Sequence, residues 1–334
     1  MAKLAGVSIA TVSRCMNNPD KVGKKTLTRV KKAINDLHYS PNLLAQNFRR
    51  GKSNLIMVVV PHIGMAFFSD VLEGIRSVLD DNYMVVLMET RTHHQHNSHF
   101  IDMVVSKQVE GVILLATHLP FDLQLTRAHK ASPIPLVIGL EPYSSDLAQF
   151  PNVHIDNLAA AHEATSYLIR AGHKHICFIS GPENSMITLD RELGFRSAMQ
   201  QAGLELTPDC VRYTELNLSG GMMCAQYLLT QAQRPTAIFC ANDDIAMGVM
   251  SVARKLGLNL PDDLSIMGFD DTPYSEVCTP RLSTVHQPAH DIGRRVALRL
   301  LKDIETPLNQ AQRVEILPHK LVIRDSIRAL RSDT

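Results

Sequence analysis

The sequence predicts an all-α head followed by an α/β body that contains two doubly wound parallel sheets. Residues 1–40 contain no strand-like run, whereas short apolar runs alternate with amphipathic stretches from residue 55 onward. Continuous apolar runs of this length are typical of parallel strands that are buried on both faces. About eleven strand-like runs are more than one such sheet usually uses, so we expect two similar α/β lobes.

The predicted strands of the body lie at 55–60, 84–88, 112–116, 136–138, 176–180, 237–241 and 264–269. The stretches between them predict helices at 69–82, 98–109, 158–171, 191–203, 221–232, 244–257 and 289–304. We expect the N-terminal lobe to comprise 55–155 and 286–316, and the C-terminal lobe to comprise 156–285 and 317–330.

Composition excludes several classes of protein. Hydrophobic residues make up 45% of the 334 residues and charged residues 20%, which is typical of a soluble folded chain. No apolar run approaches the ~20 residues that span a bilayer, and the N-terminus lacks a signal-peptide core, so we expect a cytoplasmic protein. Six scattered cysteines without a CxxC pair predict buried free thiols rather than a disulfide framework or a zinc site.

Charge is divided unequally along the chain. Residues 1–53 hold eleven Lys and Arg residues against Asp20 and Asp36, a net charge of +9. Because the whole chain carries +1, the remaining residues carry −8. A basic head on an acidic body predicts a polyanionic partner for the head alone. Charge by itself equally allows a solvated basic helix face.

The head has the local pattern of a helix-turn-helix motif. Gly6 can adopt the left-handed conformation that ends a first helix, and Ser8 can cap the next. Residues 9–16 and 24–37 then form the second and third helices. The residues available for a small core are Val12, Met16, Leu27, Val30, Ala33, Ile34 and Leu37. The basic residues of the third helix, expected to contact phosphates or solvent, are Lys24, Lys25, Arg29, Lys31 and Lys32.

The pattern AGVSxxTVSR at residues 5–14 is far more specific than a basic helix. It resembles the lactose-repressor (LacI/GalR-type) family of bacterial transcription regulators, and the likeness continues through 39–42 and 44–45. The resemblance implies a helix-turn-helix DNA-binding domain over 1–41. It also implies a hinge helix and linker over 42–54, ordered on operator DNA, before an effector-binding and dimerisation domain over 55–330.

This resemblance implies a set of DNA-contacting residues: Ser8, Ile9, Ala10, Thr11, Ser13, Arg14, Asn17, Asn42, Ala45 and Phe48. Arg14 suits a guanine contact, whereas Ile9 and Ala10 suit thymine methyl groups or close approach. Phe48 stands where the family usually has a Leu that wedges into a minor-groove base step, and an aromatic ring can also intercalate there. The alternative for Phe48 is packing of the hinge against the body.

The head departs from the family at two places. Its first helix lacks the residues that normally precede Ala2, so we expect a helix of about four residues that is weak alone. Gly23 and Leu27 replace the usual Ser and Arg at the start of the third helix. Gly remains an acceptable N-cap, but one phosphate-contacting Arg is lost.

The body resembles the periplasmic sugar-binding fold that this family carries behind its head, through matches at 67–69, 191–195, 241–243, 268–271, 284–288 and 321–324. The resemblance implies an effector site formed by Phe68, Thr117, Arg191, Leu216, Asn242, Asp270 and Gln287. A guanidinium and a carboxylate can each engage two vicinal hydroxyls, while Phe68 and Leu216 pack the effector's flat face. The alternative for Arg191 is a structural ion pair.

Further segments, 18–22, 119–122, 153–158 and 180–183, resemble a nucleoside-responsive branch of the family. They imply a nucleoside effector such as cytidine. The alternatives are that these segments do not touch ligand, that the effector is a sugar, or that the chain is a solute-binding α/β protein without DNA function.

We expect a homodimer that binds a palindromic operator, since one short recognition helix covers too few base pairs to be selective. Effector binding between the lobes then changes the separation of the two hinges. No C-terminal heptad helix follows Arg328, which disfavours larger assemblies.

Other chemistry is weakly supported. The adjacent acids at 243–244 and 270–271 point in different directions, so we interpret one of each pair as an N-cap or a loop hydrogen-bond partner rather than a catalyst. The histidines of 93–99 suit a solvated helix start, with a Zn²⁺ or Ni²⁺ site as the alternative. Arg324 and Arg328 are predicted to be solvated. No GxGxxG or GxxxxGK[ST] motif occurs, so a nucleotide-cofactor loop is not supported. We expect no catalytic residue, no metal and no cofactor.

Overall fold

The computed structural model describes residues 1–17, 19–37, 39, 53–79, 82–90, 98–116, 134–141, 146–183, 185–306 and 314–330. It divides into two compact units, Met1–Ser53 and Asn54–Thr334. The predicted contacts Asn42, Ala45, Phe48 and Thr117 lie outside the described residues, as do the histidines at 93, 94 and 96.

The first unit is all-α over its described residues, as predicted, with helices α1 (Ala2–Ala5), α2 (Ile9–Asn17) and α3 (Lys24–Asp36). Gly6 ends α1 at a φ of 61°, in the left-handed region that glycine adopts without strain. Ser8 Oγ accepts a hydrogen bond from the backbone N–H of Thr11 at 3.1 Å and thereby caps α2. Both local predictions are therefore confirmed.

A small apolar cluster forms the core of the head: Ala5, Val12, Cys15, Val30 and Ala33, with Met16, Leu27 and Ile34 half-buried against it. The prediction for Leu37 was wrong, because α3 ends at Asp36 and Leu37, its C-cap, is 49% exposed. Cys15 takes a core position instead.

Arg29 ties α3 to the end of α1. Its Nη2 donates hydrogen bonds to the carbonyl oxygens of Ala5 and of Gly6, the latter at 2.9 Å. These carbonyls would otherwise lack partners at a helix C-terminus, where a cation is also favoured. Arg29 therefore supports the short α1, a role that the sequence did not suggest.

The second unit contains two parallel sheets, which confirms the predicted fold class. The larger sheet comprises β1 (Leu55–Val60), β2 (Met84–Glu89), β3 (Gly111–Leu114), β4 (Leu136–Gly139), β5 (Asn152–Ile155) and β11 (Val314–Leu317), in the order β11-β5-β4-β3-β1-β2. The smaller sheet comprises β6 (Ile176–Ser180), β7 (Val211–Tyr213), β8 (Ala237–Cys240) and β9 (Ser265–Met267), in the order β7-β6-β8-β9. A separate antiparallel pair joins β10 (Thr284–His286) and β12 (Lys320–Val322).

The helices of this unit are α4 (Ala66–Leu79), α5 (Ser98–Val105), α6 (Asn157–Arg170), α7 (Met186–Gln201), α8 (Leu218–Leu229), α9 (Asp243–Lys255), α10 (Tyr274–Val277) and α11 (Ala289–Glu305). The prediction that α7 opens at Arg191 was wrong. Ser185 Oγ accepts a hydrogen bond from the Thr188 N–H and caps the helix earlier, so Arg191 lies in its second turn. None of the described helices is both long and apolar enough to cross a bilayer.

Strand β5 was not among the predicted strands because Asn152 and His154 interrupt its apolar run. Both side chains are buried, and His154 Nδ1 lies 2.8 Å from Asn152 Oδ1. Each side chain therefore gives the other a hydrogen-bond partner. Edge strands β7 and β11 were missed for a related reason, since each contains a charged residue.

Two glycines let α4 and α11 approach each other closely. A Cβ at Gly74 would overlap the carbonyl oxygen of His290, and one at Gly293 would overlap that of Val71. The backbones can therefore touch only because neither position has a side chain. This packing holds the start of α11 beside α4, which carries Phe67 and Phe68.

Candidate functional site

Arg191 and Asp270 meet in the interior of the body. Their side chains are 4% and 7% exposed, and Nη1 of Arg191 lies 3.9 Å from Oδ1 of Asp270. Nε of Arg191 donates a hydrogen bond to Asn157 Oδ1 at 2.9 Å, and Nη1 donates to the carbonyl oxygen of Ala241. The guanidinium carbon also lies 3.6 Å from the centre of the Phe269 ring. These contacts hold the guanidinium in one orientation.

Asp270 is itself held in an unusual conformation. Its φ of 110° lies in a region that side chains other than glycine rarely adopt, and such strain is concentrated at functional sites. Its Oδ1 accepts a hydrogen bond from Nε2 of Gln287 at 2.7 Å. The structure thus brings Arg191, Asp270 and Gln287 together, three of the seven predicted effector residues.

Asn242 and Leu216 form a second contact. Asn242 Oδ1 accepts from the Ile245 N–H at 2.9 Å and caps α9, while its Nδ2 donates to the carbonyl oxygen of Leu216 at 3.2 Å. Both polar groups of Asn242 therefore have partners within the protein. The half-buried Leu216 is positioned by this bond.

The aromatic candidate Phe68 is buried in α4, where its ring meets the edge of Phe67 at a centroid distance of 5.6 Å. Phe67, rather than Phe68, lines a cavity of about 250 Å³ together with Asp270 and Gln287. The sequence did not single out Phe67.

Glu141 is a buried residue that sequence reasoning missed. It is 5% exposed, lies two residues after the end of β4, and its Oε2 has no hydrogen-bond partner among the described residues. Its carboxylate interacts with both Arg191 and Ser185. An acid at the carboxyl end of a buried parallel strand is the sequence feature that could have identified it. We call Arg191, Asp270, Gln287 and Glu141 the Arg191 site.

Burial raises the pKa values of the acids around Arg191. The pKa of Asp270 and that of Glu141 each rise to about 8, although Arg191 opposes both shifts. Burial likewise lowers the pKa of Arg191 to about 10. Burial therefore opposes ionisation of the two carboxyls, whereas the nearby guanidinium favours it.

Two further buried hydroxyls have no partner among the described side chains. Ser180 ends β6, and Thr188 lies in α7, where its Oγ1 and the Leu216 side chain both border Gly181. Buried polar atoms without partners are costly in a folded protein. The unpartnered atoms of Ser180, Thr188 and Glu141 could each form a hydrogen bond with a bound ligand.

Of the adjacent acids, Asp243 is the first residue of α9 and a buried hydrogen-bond acceptor, whereas Asn242 is the N-cap. Asp243 accepts from the Thr272 N–H at 2.7 Å, from Ser275 Oγ at 2.8 Å and from Thr284 Oγ1 at 2.7 Å. Burial raises its pKa to about 6, against the effect of these bonds.

The prediction that Arg324 is solvated was wrong, since its side chain is 11% exposed and its Nη2 lies 2.8 Å from Asp271 Oδ1. Asp271 also pairs with Nδ1 of His286 at 3.0 Å. Arg328 remains about half exposed, but its Nη1 donates to the carbonyl oxygen of Asp262 at 3.2 Å.

In the head, the predicted base-contacting residues Ser8, Ile9, Ala10, Ser13 and Arg14 are exposed, and Thr11 is half-buried. Ile9 is 80% exposed although it is apolar. The N-terminal side of α2 therefore presents a surface of mixed chemistry, which suits contact with base edges and thymine methyl groups.

All six cysteines are free, and five are buried, as the sequence predicted. Among the described residues, one group has the spacing of metal ligands: His175, Cys177 and Cys210, whose ligand atoms lie within 4.8 Å of one another. It shares no residue with the Arg191 site.

Known proteins resemble both units. The family model of bacterial regulatory proteins, lacI family, matches residues 1–42, and that of the periplasmic binding protein-like domain matches residues 165–327. The HTH-type transcriptional repressor CytR of Escherichia coli (strain K12) is 37% identical over 99% of this chain and 96% of its own length. The chain belongs to the lacI family of bacterial regulatory proteins.

Solved structures agree with this membership in the lacI family. The lac repressor dimer bound to operator and an anti-inducer is 26% identical, with a TM-score of 0.82 over 98% of each chain. The complex of the transcriptional regulator CelR with cellobiose is 29% identical, with a TM-score of 0.75 over 97% of this chain and 98% of that one. The protein is therefore a DNA-binding transcriptional repressor controlled by a small molecule, and not an enzyme.

Proposed function

We propose that this lacI-family repressor binds a palindromic operator as a homodimer and releases it when a nucleoside such as cytidine occupies the Arg191 site. The observation that carries the proposal is the Arg191 site itself, where Asn157 fixes the guanidinium and the buried Glu141 beside it has a carboxylate oxygen without a partner. A nucleoside carries hydroxyl and amino groups that can donate hydrogen bonds to the carboxylates of Glu141 and Asp270.

The balance of charge at the site favours an uncharged effector. Asp270, Glu141 and Asp243 all act on Arg191, so three carboxyls share one guanidinium. A phosphate would bring further negative charge into a buried region that is already rich in acids, which is costly. A ribose instead offers hydroxyl donors to Asp270 and acceptors to Arg191. We therefore favour a nucleoside over a nucleotide.

We assign the nucleoside's base to the part of the site near Phe67 and Phe68. Phe68 was the predicted stacking residue, and Phe67 beside it lines the cavity that Asp270 and Gln287 share. Glu141 Oε2 can accept a hydrogen bond from an exocyclic amino group such as that of cytosine. A simple sugar would satisfy the hydroxyl partners but has no exocyclic amino group to donate to Glu141.

The operator contacts are assigned to the head and hinge: Ser8, Ile9, Ala10, Thr11, Ser13, Arg14, Asn17, Asn42, Ala45 and Phe48. An apolar surface on the body supports dimerisation, since Met84 is 56% and Leu87 is 40% exposed on β2, an edge strand. Effector binding changes the lobe angle and thereby the separation of the two hinges. We place the protein in the cytoplasm, at the nucleoid, where its operator lies.

Thermal-shift measurements with the full chain test the effector. Cytidine is expected to raise the melting temperature, because a ligand at 100 times its Kd stabilises by about 2.7 kcal/mol. Cytidine monophosphate and ribose are expected to have little effect. A shift with cellobiose or ribose and none with nucleosides would make this a sugar-responsive regulator.

Gel-shift experiments test the operator. The dimer is expected to bind a palindromic site selected from random DNA, with an affinity that falls steeply as salt rises. Cytidine is expected to release this complex. Failure to select any sequence would contradict the operator assignment, whereas tighter binding with cytidine would make the effector a corepressor.

A further inference from the structure

Two cysteines meet at the edge of the smaller sheet. Phe178 of β6 is paired with Val211 of β7, so Cys177 and Cys210, one residue earlier on each side, are neighbours. Their Sγ atoms lie 3.0 Å apart, about 1 Å more than a covalent S–S bond. Adjacent strands lie about 4.8 Å apart, which is within the Cα separations that disulfides span.

Hydrogen bonds make the two sulfurs unequal. The Cys177 thiol and the Thr207 hydroxyl both donate to Cys210 Sγ, each at 3.0 Å, and His175 lies beside it. The bond from Cys177, together with those from Thr207 and His175, lowers the pKa of Cys210 to about 5 despite burial. The same hydrogen bond raises the pKa of Cys177, and so do burial and the charge of Asp209. Cys177 is therefore the sulfur that tends to remain protonated. The local hydrogen bonds therefore favour the ionised form of Cys210 over that of Cys177.

We propose that Cys210 and Cys177 are a redox-active pair that hydrogen peroxide oxidises to a disulfide. The Cys210 thiolate attacks one peroxide oxygen, the O–O bond breaks, and a sulfenic acid and hydroxide form. Cys177 sulfur then attacks the Cys210 sulfur, the S–O bond breaks, and the departing hydroxide takes the Cys177 proton as water. The sulfur pair loses two electrons and the peroxide gains them.

The spacing favours a disulfide over a metal site. His175, Cys177 and Cys210 have the ligand types that zinc prefers. Two thiolates on one tetrahedral zinc, with bonds of about 2.3 Å, would lie about 3.8 Å apart. The sulfur separation of 3.0 Å is shorter than that geometry allows.

The bond would form away from the Arg191 site. Cys177 is the second residue of β6, whose opposite end is Ser180. Oxidation therefore ties edge strand β7 to the sheet without removing any group from the Arg191 site. We expect effector affinity to change less than about twofold, while the urea midpoint of the body rises because the unfolded chain is cross-linked.

Peptide mapping of the reduced, full-length protein tests the pair. After treatment with equimolar hydrogen peroxide and alkylation, trypsin is expected to release peptide 175–191 linked to peptide 197–212, two hydrogens lighter than the free peptides together. Cys210→Ser is expected to slow thiol loss at least about tenfold. Cys177→Ser is expected to accumulate a sulfenic acid at Cys210 that dimedone traps. Cys224→Ser, at another buried cysteine, serves as the matched control and should leave the link unchanged.

The wild-type peptide map does not depend on the folding of any variant. Oxidation of the half-buried Cys278 ahead of the pair would overturn the proposal, since exposure rather than the local hydrogen bonds would then govern reactivity. So would recovery of the two peptides unlinked, or purification with one equivalent of zinc that protects both thiols. None of these results bears on the operator or the effector.

Discussion

The head and the body achieve recognition by opposite means. The head keeps its charges, Arg14 among them, at exposed positions around a small core that includes Val12 and Val30. In the body, the charges of the Arg191 site are buried, so that Arg191 and Asp270 lie inside with their pKa values shifted by burial. DNA is a large polyanion that exposed cations can reach, whereas a small neutral molecule must be enclosed by polar atoms that are already in place.

Asp270→Ala should separate the two functions most strongly. Removing the carboxylate leaves the Arg191 guanidinium buried without its charged partner, so effector affinity is expected to fall roughly 100-fold or more. Isothermal titration measures this loss, and operator affinity in a gel shift should not change. Asp262→Ala, at an exposed position in the turn before β9, is the matched control. Loss of operator binding as well would indicate a folding defect and contradict the separation.

Arg14→Ala tests the exposed surface. A guanidinium that contacts a guanine contributes about 1–3 kcal/mol of discrimination, so specific binding is expected to fall about 10- to 100-fold. Binding to random DNA should change little. Lys25→Ala, a phosphate candidate on α3, should weaken both alike. If Arg14→Ala also weakens all sequences equally, then Arg14 contacts phosphate instead.

Arg29→Ala tests whether the head is stabilised independently of the body. The variant loses two charge-assisted hydrogen bonds to the end of α1, which is expected to cost the head about 2 kcal/mol. Calorimetry should show a lower transition for the head and an unchanged one for the body. Lys32→Ala on the same helix should leave both transitions in place. A fall in the body's transition would show that the two units unfold together.

The smallest expected effect is on pH dependence. Asp270 and Glu141 have higher pKa values in the folded protein than in the unfolded chain, so the folded state binds more protons. The urea midpoint of the free body should therefore fall as pH rises from about 4 towards 8. Effector affinity should rise several-fold across the upper part of that range, because ionised carboxylates are better acceptors. Asp270→Asn should flatten both curves, and an unchanged curve would contradict the pKa assignment.

Local features of the sequence predicted local structure well. Gly6 and Ser8 were assigned correctly because the end of one helix and the cap of the next depend on a few neighbouring residues. The strand at 176–180 was predicted with its observed bounds because an apolar run that is buried on both faces needs no alternation. Leu37 failed because the end of α3, and not its apolar spacing, set its exposure.

Contacts between distant residues were decided by packing. Arg29 binds Ala5 and Gly6 across the head, and Glu141, just after β4, interacts with Arg191 of α7. Neither contact has a sequence spacing that would predict it. By itself, the sequence determined the fold class, the basic head and the membership in the family, because these depend on periodicity, composition and short motifs. Only the tertiary structure decided which buried polar atoms find partners and which remain available to a ligand, because that depends on how separate elements meet.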